Sequence, residues 1–209
     1  MFELYVVTDA ALSCGRPDHE VARLAYEGGA DAVQLRMKGA PAGEMLRQAK
    51  IIKEAADRLS KFFIVNDRVD IAAAVDADGV HLGLSDIPVE DARKILGDDK
   101  IVGATVHNLR EAFAAAEAGA DYLSVGSIFS TKTKADAVQM VGLDAIFEIK
   151  EALDIPLIAI GGIDRGNIQD VIRAGADGVA VVSAVVSKPD ISAAAHELRD
   201  MILKIRPNI

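Results

Sequence analysis

The sequence predicts an α/β protein, a single (β/α)8 barrel of the TIM type spanning residues 1–209. Three observations predict it. Apolar runs of strand length alternate with segments of helical periodicity, which argues for a parallel sheet. A short phrase recurs along the chain: Gly29-Ala30-Asp31, Gly119-Ala120-Asp121, Gly175-Ala176-Asp177, and more faintly Asp76-Ala77-Asp78. The composition is 51% hydrophobic but only 4% aromatic, without Trp. The core must therefore be aliphatic, as in a sheet buried on both faces.

Each element follows from this key. The recurring glycine takes the left-handed position that ends a helix, and the residues after the phrase enter a strand. The expected strands are Glu3–Thr8, Ala32–Arg36, Phe62–Asn66, Gly79–Leu82, Ile101–Val106, Tyr122–Gly126, Leu157–Ile160 and Gly178–Val182. Between them lie helical patterns. Met45, Ala49, Ile52 and Ala56 recur at intervals of three and four, as do Ile191, Ala195, Leu198, Ile202 and Ile205. Such intervals mark one buried helix face. A chain of 209 residues lies near the lower limit of this barrel, about 200 residues. The competing fold is an open doubly wound sheet. No Gly-x-Gly-x-x-Gly follows the first strand, and the repeat runs around the whole chain rather than through two halves. No Pro/Gly/Ser-rich linker marks a domain boundary.

Composition excludes some partners. The formal net charge is −9 with no basic run, so nucleic acid is not an expected ligand. No uncharged apolar run approaches a membrane span of about 18 residues. The first residues, Met1-Phe2-Glu3-Leu4, do not look like a signal peptide. Cys14 is the only cysteine, so neither an intrachain disulfide nor a cysteine metal cage is expected. A reducing cytoplasm is the expected setting. Oligomeric state is left open, with a homo-oligomer among the options.

Chemistry in this fold sits at the C-terminal ends of the strands. Strand two ends Gln34-Leu35-Arg36-Met37-Lys38. Alternation turns Gln34, Arg36 and Lys38 to one side, and Leu35 and Met37 to the other. Two cations at the barrel mouth suit a phosphate or diphosphate, Arg as a fork and Lys as a point charge. They also read as snorkelling surface cations. Strand three ends Asn66-Asp67, and strand four runs through His81 to Asp86. Two carboxylates on neighbouring strand ends can share one hard cation such as Mg²⁺, with substrate phosphates completing it. The competing readings are a salt bridge from Asp67 to Arg68 or another neighbour, and Asp86 as the N-cap of the helix that includes Pro88. After strand six, Ser130-Thr131-Lys132-Thr133-Lys134 offers hydroxyls and ammonium groups to a second phosphate, or forms a solvated basic loop. The ends of strands seven and eight, Gly161-Gly162 and Val182-Ser183, suit the usual phosphate cradle. His19 and His196 read as helix-surface residues, His107 as a residue that could start a helix, and His81 as a satisfied strand-end histidine. No zinc or nucleophilic-serine motif stands out.

Taken in order, these segments resemble the thiamine-phosphate synthase family over nearly the whole chain. The resemblance rests on Leu4–Asp9, Gln34–Lys38, Val65–Arg68, Gly79–Asp86, Thr131–Lys134, Ala159–Ile163 and Val182–Ala184. It implies a transferase that joins a pyrimidine diphosphate to a thiazole phosphate and releases pyrophosphate. Gln34, Arg36, Lys38, Asn66, Thr105 and Lys134 would hold the pyrimidine diphosphate, with Arg36, Lys38 and Lys134 as the catalytic cations. Asp67 and Asp86 would bind Mg²⁺. Thr131, Thr133, Gly162, Val182 and Ser183 would hold the thiazole phosphate. The family often has Glu at Met37, Gln at Leu84, Ser at Thr105 and Pro at Ser130. Three other readings compete. A thiazole tautomerase branch tends to lose the aspartates and carries His at the position of Ser127. Another phosphate-binding barrel would need its own acid–base set. A non-catalytic sensor of thiamine precursors would bind without turnover.

Overall fold

The computed structural model describes residues 2–131 and 140–205. Every expected strand forms, with each end within one residue of its expected place. The order is β1 (Leu4–Val7), α1 (Asp18–Glu27), β2 (Ala32–Leu35), α2 (Ala42–Leu59), β3 (Phe62–Asn66), α3 (Val69–Ala74), β4 (Gly79–Leu82) and α4 (Val89–Leu96). It continues with β5 (Ile101–Val106), α5 (Leu109–Glu117), β6 (Tyr122–Val125), α6 (Asp144–Ala152), β7 (Leu157–Ile160), α7 (Ile168–Arg173) and β8 (Gly178–Val181). Two further helices follow, α8 (Ser183–Val186) and α9 (Ile191–Leu203). The strands are all parallel and close into one barrel in sequence order, with β8 returning to β1. Among the described residues no helix is long and apolar enough to cross a membrane.

Side-chain alternation divides the apolar residues into two cores. One lies between sheet and helices and gathers Leu4, Val6, Val33, Leu35, Val65 and Val80 with the helix faces, including Met45, Ala49, Ile52 and Ala56. The other fills the barrel interior with Phe2, Tyr5, Val7, Ala32, Ile64, Tyr122, Ile158 and Ala180. Aromatic rings need room in so small a barrel. Gly103 supplies it, because a Cβ there would lie 2.1 Å from the Tyr122 ring.

The recurring phrase does more than end helices. Gly29, Gly119 and Gly175 take positive φ (96°, 91° and 106°), and in the fainter copy Asp76 takes the same region at 54°. The aspartate that follows reaches sideways to the strand before it. Asp31 Oδ2 accepts from the Glu3 and Leu4 amides at 2.9 and 3.0 Å. Asp78 accepts from Phe63 N at 2.7 Å, Asp121 from Val102 N at 2.7 Å, and Asp177 from Leu157 N at 2.8 Å. So the residue that opens each even strand fastens the start of the odd strand before it. These amides begin strands, where a backbone donor would otherwise lack a partner. A cation backs each carboxylate: Arg199 at Asp31, Lys53 at Asp78, Arg93 at Asp121 and Lys150 at Asp177.

This ring predicts a stability effect well away from the barrel mouth. Asp78→Ala strands the Phe63 amide and should lower stability by about 1–3 kcal/mol, read as a lower urea midpoint at unchanged slope. Asp91→Ala, which loses only the surface pair with Lys94, should leave the midpoint unchanged within error.

Candidate active site

At the C-terminal end of the barrel the strands open into a cavity of about 500 Å³. Every described residue that the resemblance assigned to a substrate or metal lines it: Gln34, Arg36, Lys38, Asn66, Asp67, Asp86, Thr105, Thr131, Gly162, Val182 and Ser183; Ser130 does not. Thr133 and Lys134 lie outside the described residues. The expected alternation holds on β2, with Gln34 and Arg36 at the cavity and Leu35 and Met37 in the outer core.

Two of the competing readings of the acidic pair do not hold, the Arg68 partner and the Asp86 cap, while a salt bridge from Asp67 to another neighbour does form. Arg68 turns away to Asp70, at 2.7 and 2.5 Å. Asp67 instead meets Lys38, Oδ2 to Nζ 3.7 Å. Asp86 does not cap α4, whose first turn follows Pro88 without a side-chain cap. Its Oδ2 accepts from the Gly83 amide at 2.7 Å, which folds the β4–α4 turn back toward the cavity. Both carboxyls line the same cavity, and each acts on the other electrostatically. Burial, and then the Asp86 hydrogen bond and charge, push Asp67 up from 3.8 to about 6. Asp67 also holds positive φ, at 62°. The donor set fits a hard dication. Two adjacent carboxylates supply oxygen ligands, and the remaining positions fall to substrate oxygens and water. Among the described residues no group of three or more His, Cys, Asp or Glu could hold a metal by itself.

Arg36 is held rather than loose. Arg36 donates to Asp9 Oδ2 at 2.9 Å, and its amide donates to Thr8 Oγ1 at 3.2 Å. Asp9 is fixed in turn by the Ala11 amide at 3.0 Å. Behind them Asp18 is buried beside Thr8, and that burial raises its carboxyl above the usual range. Lys38 stands at the rim, 62% exposed, where Arg36 is 20% exposed. On the opposite wall Gly162 has positive φ, 64°, and a Cβ there would lie 2.5 Å from Ser130 O. That backbone can approach an anion as no larger residue could.

Several functional residues escaped the sequence reading. Asp9 belongs to a recognised segment, yet nothing local marks it as the partner of Arg36, 27 residues away. Tyr5 and Ser124 also line the cavity and read only as strand residues. His107 precedes α5 and is tied to Glu111 at 3.1 Å. His81 is indeed satisfied, between Tyr122 and Thr105.

Comparison with known proteins agrees with this geometry. A family model for thiamine monophosphate synthase matches residues 4–185. The chain belongs to the thiamine-phosphate synthase family. A thiamine-phosphate synthase of Chloroflexus aurantiacus is 51% identical over 201 residues, 96% of this chain and 93% of the relative. One from Methanoculleus marisnigri is 49% identical, covering 96% and 95%. A solved thiamine phosphate pyrophosphorylase from Pyrococcus furiosus superposes with a TM-score of 0.90 at 43% identity, covering 97% and 96%. A 3-hexulose-6-phosphate synthase shares the fold at 22% identity and a TM-score of 0.71. Thiamine-phosphate synthases are transferases of thiamine biosynthesis, and this chain is an enzyme of that class.

The Asp67 environment sets a pH test. A carboxyl that binds its proton more tightly when folded adds stability below about pH 4 and loses it as pH rises through about 6. Without divalent cations, Asp67→Asn should therefore melt higher than the parent above pH 6, and the gain should vanish below pH 4. Thermal melts across that range check it. A variant equally destabilised at pH 4 and pH 7 would contradict the account.

Proposed function

We propose that this cavity couples 4-amino-2-methyl-5-hydroxymethylpyrimidine diphosphate to hydroxyethylthiazole phosphate or its carboxylated form, giving thiamine phosphate and pyrophosphate, with CO2 also released from the carboxylated form. One observation carries the reading. A carboxylate pair suited to Mg²⁺, two cations from one strand end and a glycine-lined wall share a single cavity. The first two suit a diphosphate and its metal. The third suits a second, separate phosphate.

The bond changes balance without an acid or base. The thiazole nitrogen lone pair forms the new C–N bond at the pyrimidine methylene. The C–O bond to the diphosphate breaks, and pyrophosphate leaves with that electron pair. The attacking nitrogen carries no proton, so no general base is needed. We place the breaking step first, through a pyrimidine methyl cation. Charge then grows on the leaving group, and that is where the residues of this chain act. Arg36 and Lys38 face it from β2, with Lys134 as a third cation. Asp9 keeps the Arg36 fork oriented before substrate arrives. Asp67 and Asp86 would hold Mg²⁺, which when bound supplies charge neutralisation at the diphosphate oxygens. Thr131, Thr133, Gly162, Val182 and Ser183 would anchor the thiazole phosphate so that its nitrogen is in line.

The test is turnover of both substrates, with pyrophosphate and thiamine phosphate followed together. Both products should appear in equal amounts and stop on chelation. Asp67→Ala and Lys134→Ala should each lower turnover strongly, and Arg36→Met should lower kcat/KM by about 10²–10³, all with unchanged folding. Tight binding of the thiazole phosphate without product would point to the tautomerase or sensor instead.

A further inference from the structure

A buried polar chain crosses the barrel interior and joins two walls of the cavity. Gln34 Nε2 donates to the Tyr5 hydroxyl at 2.7 Å. The Tyr5 and Tyr122 hydroxyls are 3.3 Å apart. The Tyr122 hydroxyl lies 2.9 Å from His81 Nδ1, and His81 Nε2 lies 2.9 Å from Thr105 Oγ1. These residues come from β2, β1, β6, β4 and β5 in that order. Gln34, Tyr5, Tyr122 and His81 are all buried.

Counting protons gives the chain a direction. The Gln34 amide nitrogen can only donate, so the Tyr5 oxygen accepts. The single Tyr5 proton then goes to Tyr122. Tyr122, having accepted, passes its own proton to His81 Nδ1. That nitrogen is bare, so the neutral ring carries its proton on Nε2 and donates to Thr105. The Thr105 hydroxyl proton is left for the cavity. At the other end, Gln34 uses Nε2 on Tyr5 and leaves Oε1 for a ligand. The direction follows from the orientation of the Gln34 amide; the reverse order would turn that amide over, set Oε1 on the Tyr5 proton and leave Nε2, a donor, for the ligand.

We infer that Tyr5, Tyr122 and His81 are positioning residues that fix the polarity of the substrate pocket, an acceptor at Gln34 and a donor at Thr105. None of the three needs to touch substrate to do this. Resting on the pyrimidine diphosphate reading above, the inference makes the relay a specificity device. An amino group on the ring can donate to Gln34 Oε1, whereas an oxo group would place acceptor against acceptor. Sites that hydrogen-bond a substrate group discriminate strongly against an analogue that cannot pair.

The first readout needs no substrate. Long-range ¹H–¹⁵N correlation spectra of the free protein, with His81 assigned by its loss in His81→Asn, report the ring tautomer. The Nε2–H form is expected, and Nδ1–H would overturn the inference. The second readout is kinetic. Tyr122→Phe keeps the ring and removes the link, as does Tyr5→Phe. Each should raise KM for the pyrimidine diphosphate about tenfold and leave KM for the thiazole phosphate unchanged. Each should also narrow the preference for the amino over the oxo pyrimidine by about the same factor. Combined with Thr105→Val, the Tyr122→Phe loss should be less than multiplicative. Folded variants with unchanged KM, or with equal losses for both substrates, would overturn the relay. If Tyr122→Phe does not fold, Tyr5→Phe and the tautomer still decide. The expected tautomer in a protein without turnover would count against the substrate pair and not against the relay.

Discussion

The four aspartates that open the even strands are the constraint on which the barrel depends. Each odd strand has an amide at or next to its start that finds its acceptor in a side chain rather than in the backbone ladder. Asp31, Asp78, Asp121 and Asp177 each supply that acceptor to the strand before. Each carboxylate is backed by a cation from the surrounding helices or loops, so the ring also ties sheet to outer layer. Strand starts are thereby fixed at the N-terminal pole. Side chains at the C-terminal pole inherit that register and are released for chemistry. The division matches the general pattern of this fold, stability at one face and activity at the other.

The mouth shows a second constraint, electrostatic rather than geometric. A chain of net charge −9 must concentrate positive charge locally to take two phosphorylated substrates. It does so with Arg36 and Lys38 on one strand end, each opposed by a carboxylate in the free protein. Asp9 keeps Arg36 aimed, and Asp67 shares its neighbourhood with both Lys38 and Asp86. Burial, and then the crowding with Asp86, raise the proton affinity of Asp67, and a dication would relieve the same crowding. On the proposed Mg²⁺ reading, proton and metal would compete for one place.

Much of this was legible in the sequence because it depends on short-range order. Strand positions followed from apolar runs, and the cavity face of Gln34 and Arg36 followed from alternation alone. Helix stops followed from Gly29, Gly119 and Gly175. What escaped depends on closure. The acceptor role of Asp31 was invisible because its partner is a backbone amide, which has no residue signature. The contact between Tyr5 and Tyr122 spans 117 positions and exists only because the barrel closes across its interior. Asp86 illustrates an ambiguity of a third kind. Its place ahead of a helix suggested a cap, but the turn uses its carboxylate on Gly83 and presents it to Asp67.

The central claim is that the strand ends of β2, β3 and β4 form one metal–diphosphate site, separate from the glycine-lined wall beyond. A crystal structure with Mg²⁺ and pyrophosphate tests this most directly. The account predicts pyrophosphate beside Arg36 and Lys38, with the cation between it and the carboxylates of Asp67 and Asp86. Pyrophosphate seated on Gly162 and Ser183, or a cation away from both aspartates, would contradict it.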